Sequence, residues 1–256
     1  MAIYSLFSAT GAPGTTTTAV GLALRWPRNV ILVDADPSGS QSIAAGYLKS
    51  VLAHDRGLME LAAAARHDQM RAVLPRSLIH LEGSNADFLQ GPRSPRHARS
   101  LSSLWPAFIN LFGSLDAQGT DVIMDLGRYG TEDFAHAVLT KSDRAILTMT
   151  SSLPAIVGTN WVANHVAENF PEGRGQRLQL CIIGQGQPYP ARAIAKKLQI
   201  PDPIPVAFDA ATAAHFSTGS ILPKRRIGSA PLLRSLDAMI STLRETDEPK
   251  EAEDDE

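Results

Sequence analysis

The strongest constraint on the fold is the repeated alternation of short aliphatic runs with segments long enough to form a helix. Short continuous apolar runs are typical of strands buried on both faces, and helices between such strands are typical of a parallel sheet. The pattern predicts an α/β protein with a doubly wound, mainly parallel sheet of about seven strands and helices on both faces. The expected strands are residues 3–8, 30–33, 78–81, 122–124, 145–149, 178–183 and 204–207.

The chain is expected to form one domain, residues 1–244, followed by a tail, residues 245–256. A length of 256 residues is within reach of one hydrophobic core, and we find no internal repeat or linker. The tail holds eight acidic residues, one lysine and no aromatic or branched aliphatic residue, so it is predicted to be disordered. It serves either as a solubilising segment or as an autoinhibitory mask over the mildly basic body.

Composition favours a cytoplasmic protein that does not insert into a membrane. Hydrophobic residues at 44% and charged residues at 20% are ordinary for a globular protein, and no apolar run approaches the length of a membrane span. The N-terminus lacks the basic region and cleavage site of a signal peptide. The single cysteine, Cys181, cannot form an internal disulfide.

The turn after the first strand is the most informative segment. Residues 10–18 read Thr-Gly-Ala-Pro-Gly-Thr-Thr-Thr-Thr and precede a predicted helix. Glycines before a helix N-terminus suit a phosphate, because backbone N–H groups and the helix dipole both favour an anion there. The strict pattern G-x-x-x-x-G-K-[ST] fails at Ala9 and at Thr15, and taken alone the turn suits a threonine helix cap equally well.

Two further predicted strands end in aspartate. The second strand leads into Asp34-Ala35-Asp36-Pro37-Ser38-Gly39, and the fourth leads into Asp125-Leu126-Gly127-Arg128. Each aspartate alone could cap a helix or turn, but ligands of parallel sheets gather at the carboxyl ends of the strands. An apolar strand ending in aspartate is also typical of a Walker B metal site. The three segments together therefore predict one shared crevice.

These motifs resemble the ParA/MinD family of deviant Walker ATPases, in the SIMIBI class of P-loop proteins. The family pattern is K-G-G-x-G-K-T-T, then D-x-D-P-Q-G, then D-T-P, and this chain reads T-G-A-P-G-T-T-T, then D-A-D-P-S-G, then D-L-G. Downstream, residues 143–155 and 205–209 are also similar to family segments. The whole most resembles degenerate actinobacterial members.

The resemblance implies a site for ATP or ADP with Mg²⁺. Thr16 and Asp125 would hold Mg²⁺, Thr17 would contact the α-phosphate, and Asp36 would orient the attacking water. The full implied set comprises cofactor contacts from Gly11, Ala12, Pro13, Gly14, Thr15, Thr16, Thr17 and Asp209, metal contacts from Thr16, Asp34 and Asp125, and catalytic roles for Asp36 and Arg128.

The chain departs from the family at two lysine positions, which are occupied by Thr10 and Thr15. Threonine brings no charge, and charge-assisted hydrogen bonds are about twice as strong as neutral ones. We therefore expect a nucleotide-binding protein of the positioning or partitioning type with little or no ATP hydrolysis. Two alternatives are an active ATPase whose missing cation is supplied by Arg128 or by a partner, and a scaffold that binds no nucleotide.

The resemblance also implies a homodimer formed through the face that carries the loop. Residues 90–100, with three arginines, are expected to form a surface loop, and residues 224–226 form a second basic cluster. Such segments are commonly solvated, but they also allow non-specific contact with DNA or with an acidic partner. No motif identifies the cargo or the protein partner.

Overall fold

The structure is a computed structural model that describes residues 1–11, 14–50, 56–169, 177–227 and 229–245. Two of the predicted loop residues, Ala12 and Pro13, lie outside the described part, as does the predicted acidic tail except for Glu245. Glu245 is the last residue of a helix rather than the first residue of the tail.

A single sheet of eight strands forms the centre of the described structure, in the order β3-β4-β2-β5-β1-β6-β7-β8. All of its described strand pairs are parallel except β3 with β4, so the predicted mainly parallel α/β sheet is confirmed. The strands are β1 Ile3–Ser8, β2 Val30–Asp34, β3 Leu78–His80, β4 Ala86–Leu89, β5 Asp121–Arg128, β6 Arg144–Thr150, β7 Arg177–Ile183 and β8 Ile204–Val206.

Two features of the sheet differ from the sequence expectation. The predicted strand at residues 78–81 is the antiparallel edge strand β3. The neighbouring strand β4, which pairs in parallel with β2, was not predicted. Its four residues include Asp87, which interrupts the apolar run, and a segment this short gives little periodic signal.

Helices cover both faces of the sheet, as predicted. They are α1 Thr15–Arg25, α2 Leu58–Ala65, α3 Met70–Ser77, α4 Pro95–Leu101, α5 Trp105–Gly113, α6 His136–Lys141, α7 Leu153–Asn169, α8 Ala191–Leu198, α9 Ala210–Thr218, α10 Lys224–Ile227 and α11 Pro231–Glu245, together with a π-helix, Ser42–Tyr47. None of the helices described is both long and apolar enough to cross a membrane.

The prediction of a surface loop over residues 90–100 is wrong from Pro95 onward, where α4 begins. Ser94 is the N-cap of α4, because its side chain accepts a hydrogen bond from the His97 N–H at 3.3 Å, and Pro95 follows as the first helical residue. Proline is favoured at that position, since its fixed φ suits a helix and its missing N–H would have no partner there. Pro95, which indicated a loop in the sequence, is therefore the first residue of a helix.

Two hydrophobic cores lie on opposite faces of the sheet because successive strand residues point to opposite sides. On β1, Ile3 and Phe7 join the core formed with α2 to α8. Tyr4 and Leu6 join the second core, which includes side chains of α1 and α11. The carboxyl ends of β1, β2 and β5, which are neighbours in the sheet, consequently lie together at one edge.

Candidate functional site

A cleft of about 760 Å³ lies at the carboxyl edge of the sheet, at the ends of β1, β2 and β5. The structure thus brings the first turn, the segment after β2 and the end of β5 to one cavity. Its lining consists of Ser8, Gly11, Gly14, Thr15, Thr16, Thr17, Asp36, Ser38, Ser40, Ser42, Ala45, Gly46, Gly127, Arg128, Thr131 and Ser217.

The N-terminus of α1 lies at this cleft. Gly14 precedes the helix with φ 101°, in the left-handed region that favours glycine. Its carbonyl accepts the first helical hydrogen bond from the Thr18 N–H at 2.8 Å. In the part of the chain that is described, no side chain caps this helix and no acidic residue occupies its first turn. The positive end of the helix dipole therefore remains available to an anion.

Two buried carboxyl groups lie beneath the helix start. Asp34 and Asp125 are register partners on β2 and β5, and they are 4% and 1% exposed. Burial raises the pKa of Asp125 to about 6, against the opposing effect of hydrogen bonds from the Thr16 hydroxyl and the Gly127 N–H. The pKa of Asp34 is raised well above its usual value by burial and then by the charge of Asp125. A cation near this pair would stabilise its ionised form.

Asp36 is held at the cleft by its own loop. Its Oδ1 accepts a hydrogen bond from the Ser38 N–H at 2.9 Å, and its Oδ2 accepts one from the Ser40 hydroxyl at 3.2 Å. Gly127 at the end of β5 lets the two segments approach, because a Cβ there would lie 2.5 Å from Asp36 Oδ1. Gly127 also has φ +68°, a conformation that other residues rarely adopt.

The two threonines at the lysine positions make contacts within the protein. Thr148 donates to the Phe7 carbonyl at 2.9 Å, so the Thr15 hydroxyl donates to Thr148 Oγ1 at 2.5 Å. Thr15 is 6% exposed. Thr10 packs against α7, where a Cβ on Gly158 would lie 2.5 Å from its Cγ2. Neither residue brings positive charge to the cleft.

Arg128 is the one cation among the described residues that line the cleft. It is exposed, and no carboxylate of the described chain forms an ion pair with it.

Asp209, by contrast, is not among the residues that line the cleft. It caps α9 by accepting hydrogen bonds from the Thr212 N–H at 3.2 Å and hydroxyl at 2.6 Å, which lower the pKa of Asp209.

Comparison with known proteins identifies the architecture. No protein-family model and no curated protein matches the sequence. Among solved structures, the ParA family ATPase of Chlorobium tepidum is similar at a TM-score of 0.71 and 16% identity, over 94% of this chain and 98% of that one. The MinD cell division ATPase of Pyrococcus furiosus is similar at 0.71 and 18%, over 94% and 99%. This chain has the ParA/MinD fold.

The ATP complex of Cyanothece McdA has the same fold, at a TM-score of 0.69 and 17% identity over 95% of this chain and 96% of that one. In this ParA/MinD fold, sequence reasoning missed a polar wall of the cleft. That wall consists of Ser38, Ser40, Ser42, Thr131 and Ser217. The run Pro-Ser-Gly-Ser-Gln-Ser at residues 37–42 was the available signal, whereas Ser217 of α9 comes from a distant part of the chain.

The residues at the cleft could bind Mg²⁺ only if a ligand supplied further oxygen atoms. Within the described chain, no group of three or more His, Cys, Asp or Glu residues could hold a metal ion. The Thr16 hydroxyl and the Asp125 carboxylate are nevertheless hard oxygen donors that contact each other. Mg²⁺ in proteins is commonly bound by one or two such groups together with waters and phosphate oxygens. This donor set therefore fits Mg²⁺ in company with a phosphate.

Proposed function

We propose that the protein is a ParA/MinD-like positioning or partitioning protein that binds ATP or ADP with Mg²⁺ and hydrolyses little or no ATP. The observation that carries this proposal is the hydrogen bond of Thr15, whose hydroxyl donates to Thr148 Oγ1 within the protein. The cleft thus offers a phosphate-binding helix start without the charge that the family places beside it.

Nucleotide binding is supported by two neighbouring features of the cleft and by the comparison with proteins of similar fold. The open N-terminus of α1 would receive phosphate oxygens, as helix N-termini do elsewhere. Thr16 and Asp125 would hold the metal, which would neutralise phosphate charge. Among proteins of similar fold, MinD of Pyrococcus horikoshii was solved with Mg-ADP and Cyanothece McdA with ATP.

Slow hydrolysis follows from the missing cations. In this proposal Asp36 would orient the attacking water, and its carboxylate accepts hydrogen bonds from Ser38 and Ser40. Charge develops on the transferred phosphoryl group in the transition state, and preorganised donors aimed at such charge are worth several kcal/mol. With threonine at both lysine positions, we expect turnover to be strongly reduced while binding persists.

Calorimetric titration of the protein with ATP and ADP, with and without Mg²⁺, tests the binding half of the proposal. Phosphate release at saturating ATP tests the hydrolytic half. We expect Mg²⁺-dependent binding and no sustained turnover. Absence of binding at millimolar nucleotide would refute the proposal and favour a scaffold that binds no nucleotide.

A second candidate is a working ATPase, and it is favoured by Arg128, which is exposed at the cleft and has no ion-pair partner among the described residues. In that case Arg128 would supply the cation that Thr15 lacks. Sustained phosphate release that Arg128→Ala abolishes and Arg128→Lys partly retains would support this candidate over the first. The same substitutions should leave turnover at background if the first candidate is correct.

We also propose a homodimer formed through the cleft face, in a cytoplasmic protein. The support is resemblance, because proteins of similar fold include a cell division ATPase and a plasmid partition protein. Lys224 and Arg225 of α10 are exposed, which would leave them available for non-specific contact with DNA, whereas Arg226 is half-buried and pairs with Asp209 at 3.4 Å. Light scattering with and without nucleotide tests the dimer, and a monomer under all conditions would refute it.

A further inference from the structure

A cluster of rings surrounds Tyr129, the residue that follows Arg128 of the cleft. The ring of His136 lies edge-on to the Tyr129 ring, with a distance of 5.4 Å between the ring centroids. The rings of His165 and Trp161 lie 5.9 and 6.2 Å from it. Because these residues belong to different elements, the cluster joins the end of β5 to the start of α6 and to α7.

The Tyr129 hydroxyl is buried without a hydrogen bond. Tyr129 is 6% exposed, and its hydroxyl has no partner in the described part of the chain. A buried hydroxyl of this kind has given up its bonds to water and gained none in return. Opening of the cluster would return the hydroxyl to water, so the closed arrangement is more easily disrupted than its ring contacts alone suggest.

Both histidines of the cluster are placed as neutral rings. The Asn169 amide nitrogen donates to Nδ1 of His165 at 3.2 Å, which requires an unprotonated Nδ1, and also to the His165 carbonyl at 2.8 Å. His136 is the first residue of α6, where the helix N-terminus disfavours positive charge. Burial lowers the pKa of His136, and the charge of His165 lowers it further. The titrations of the two rings are therefore coupled.

The charged groups around the cluster do not compensate a positive charge on it. The neighbouring segments carry Arg128, Glu132, Asp133, Lys141 and Glu168. Glu132 and Asp133 pair with Arg99 of α4, and among the described residues no carboxylate forms an ion pair with His136 or His165. Glu168 is exposed, so solvent weakens its attraction for the nearby His165. Arg128 and Lys141 add positive charge.

We propose that Tyr129, His136 and His165 form a pH-sensitive latch. When both imidazoles are neutral, they pack against Tyr129 and hold α6 and α7 at the end of β5. When both are protonated, two positive charges flank one buried ring, and separation of α6 from α7 returns these charges to water.

The direction of the pH effect follows from His136. Since packing lowers the pKa of His136, the closed latch has its full stability above the ordinary pKa of histidine and loses stability as the pH falls below it. Opening would free Tyr129 and hence the adjacent Arg128 at the edge of the cleft. The inference does not rest on the proposed function, because the latch residues do not line the cleft and the test uses no nucleotide.

Hydrogen-exchange mass spectrometry of the full-length protein at about pH 7.5 and about pH 5, on either side of the ordinary range of histidine, tests the latch. Exchange rates are first corrected for their intrinsic dependence on pH. We expect the protection of residues 127–140 to fall about fivefold or more on acidification, while residues 231–245 of α11, on the opposite face of the sheet, stay within about twofold.

His136→Gln should abolish the loss of protection, whereas the matched control His67→Gln, at an exposed histidine outside the cluster, should retain it. His165→Gln should raise the pKa of His136 measured by NMR and reduce the loss of protection. Tyr129→Phe should shift that loss to lower pH, because no hydroxyl then gains water on opening. The proposal is overturned if protection at residues 127–140 is independent of pH, if residues 231–245 lose protection equally, or if a folded His136→Gln protein responds as His67→Gln does.

Discussion

Replacing Thr15 by lysine restores the charge that the family carries at this position. In the structure, Thr15 is the first residue of α1, is almost fully buried and donates to Thr148 Oγ1. A lysine would lose that hydrogen bond, and its longer side chain would have to extend along the cleft. There it would add a point charge close to oxygens bound at the helix start.

The size of the effect follows from the hydrogen bond that the lysine would add. A hydrogen bond to a charged group contributes about 1.5–3 kcal/mol, which corresponds to roughly 10- to 150-fold tighter binding. The bond lost between Thr15 and Thr148 is missing with and without nucleotide, so its contribution of about 1 kcal/mol is subtracted from the stability of the variant and not from its affinity. The gain should be larger for ATP than for ADP, because the resemblance places this lysine against the β- and γ-phosphates.

Titration with fluorescent ATP and ADP analogues in the presence of Mg²⁺ measures this change. Thr15→Met is the control, since it has similar length without charge and should bind no more tightly than the unmodified protein. A melting curve for each variant establishes that the fold persists. Unchanged or weaker triphosphate binding by a folded Thr15→Lys protein would mean that the loop is not shaped for phosphate, and the nucleotide interpretation would be wrong.

Three further substitutions test the site and the fold. Asp125→Ala should remove the Mg²⁺ dependence of nucleotide binding measured by calorimetry, because Thr16 then lacks its carboxylate partner, and a persisting dependence would contradict the assigned metal site. Gly127→Ala should weaken Mg²⁺-nucleotide binding by displacing Asp36, whereas Gly130→Ala, also at positive φ but with open space around it, should have little effect. Asp121→Asn should lower the free energy of unfolding by about 2–4 kcal/mol in urea titrations, because the fully buried carboxylate accepts hydrogen bonds from Arg28, Trp26 and the Ala2 N–H. An Asp121→Asn protein as stable as the unmodified one would exclude this account.

Sequence alone identified every described strand except β4, because the pattern that marks a buried strand is local. The run at residues 30–33 is aliphatic throughout, and β2 extends from Val30 to Asp34. The same local chemistry placed Gly14 before a helix and Asp125 on β5. Because parallel strands end at a common edge, the shared cleft also followed from the order of motifs along the chain.

The partners of individual side chains were decided by the tertiary structure. Thr15 bonds to Thr148, which is 133 residues away, and no local pattern signals a contact at that separation. Asp209 is adjacent to a family-like turn, yet it caps α9 instead of lining the cleft. The cluster of rings around Tyr129 likewise depends on how α6 and α7 pack on one face of the sheet. A hydrophobic pattern specifies which residues are buried, whereas the choice of neighbour depends on the packing of the whole chain.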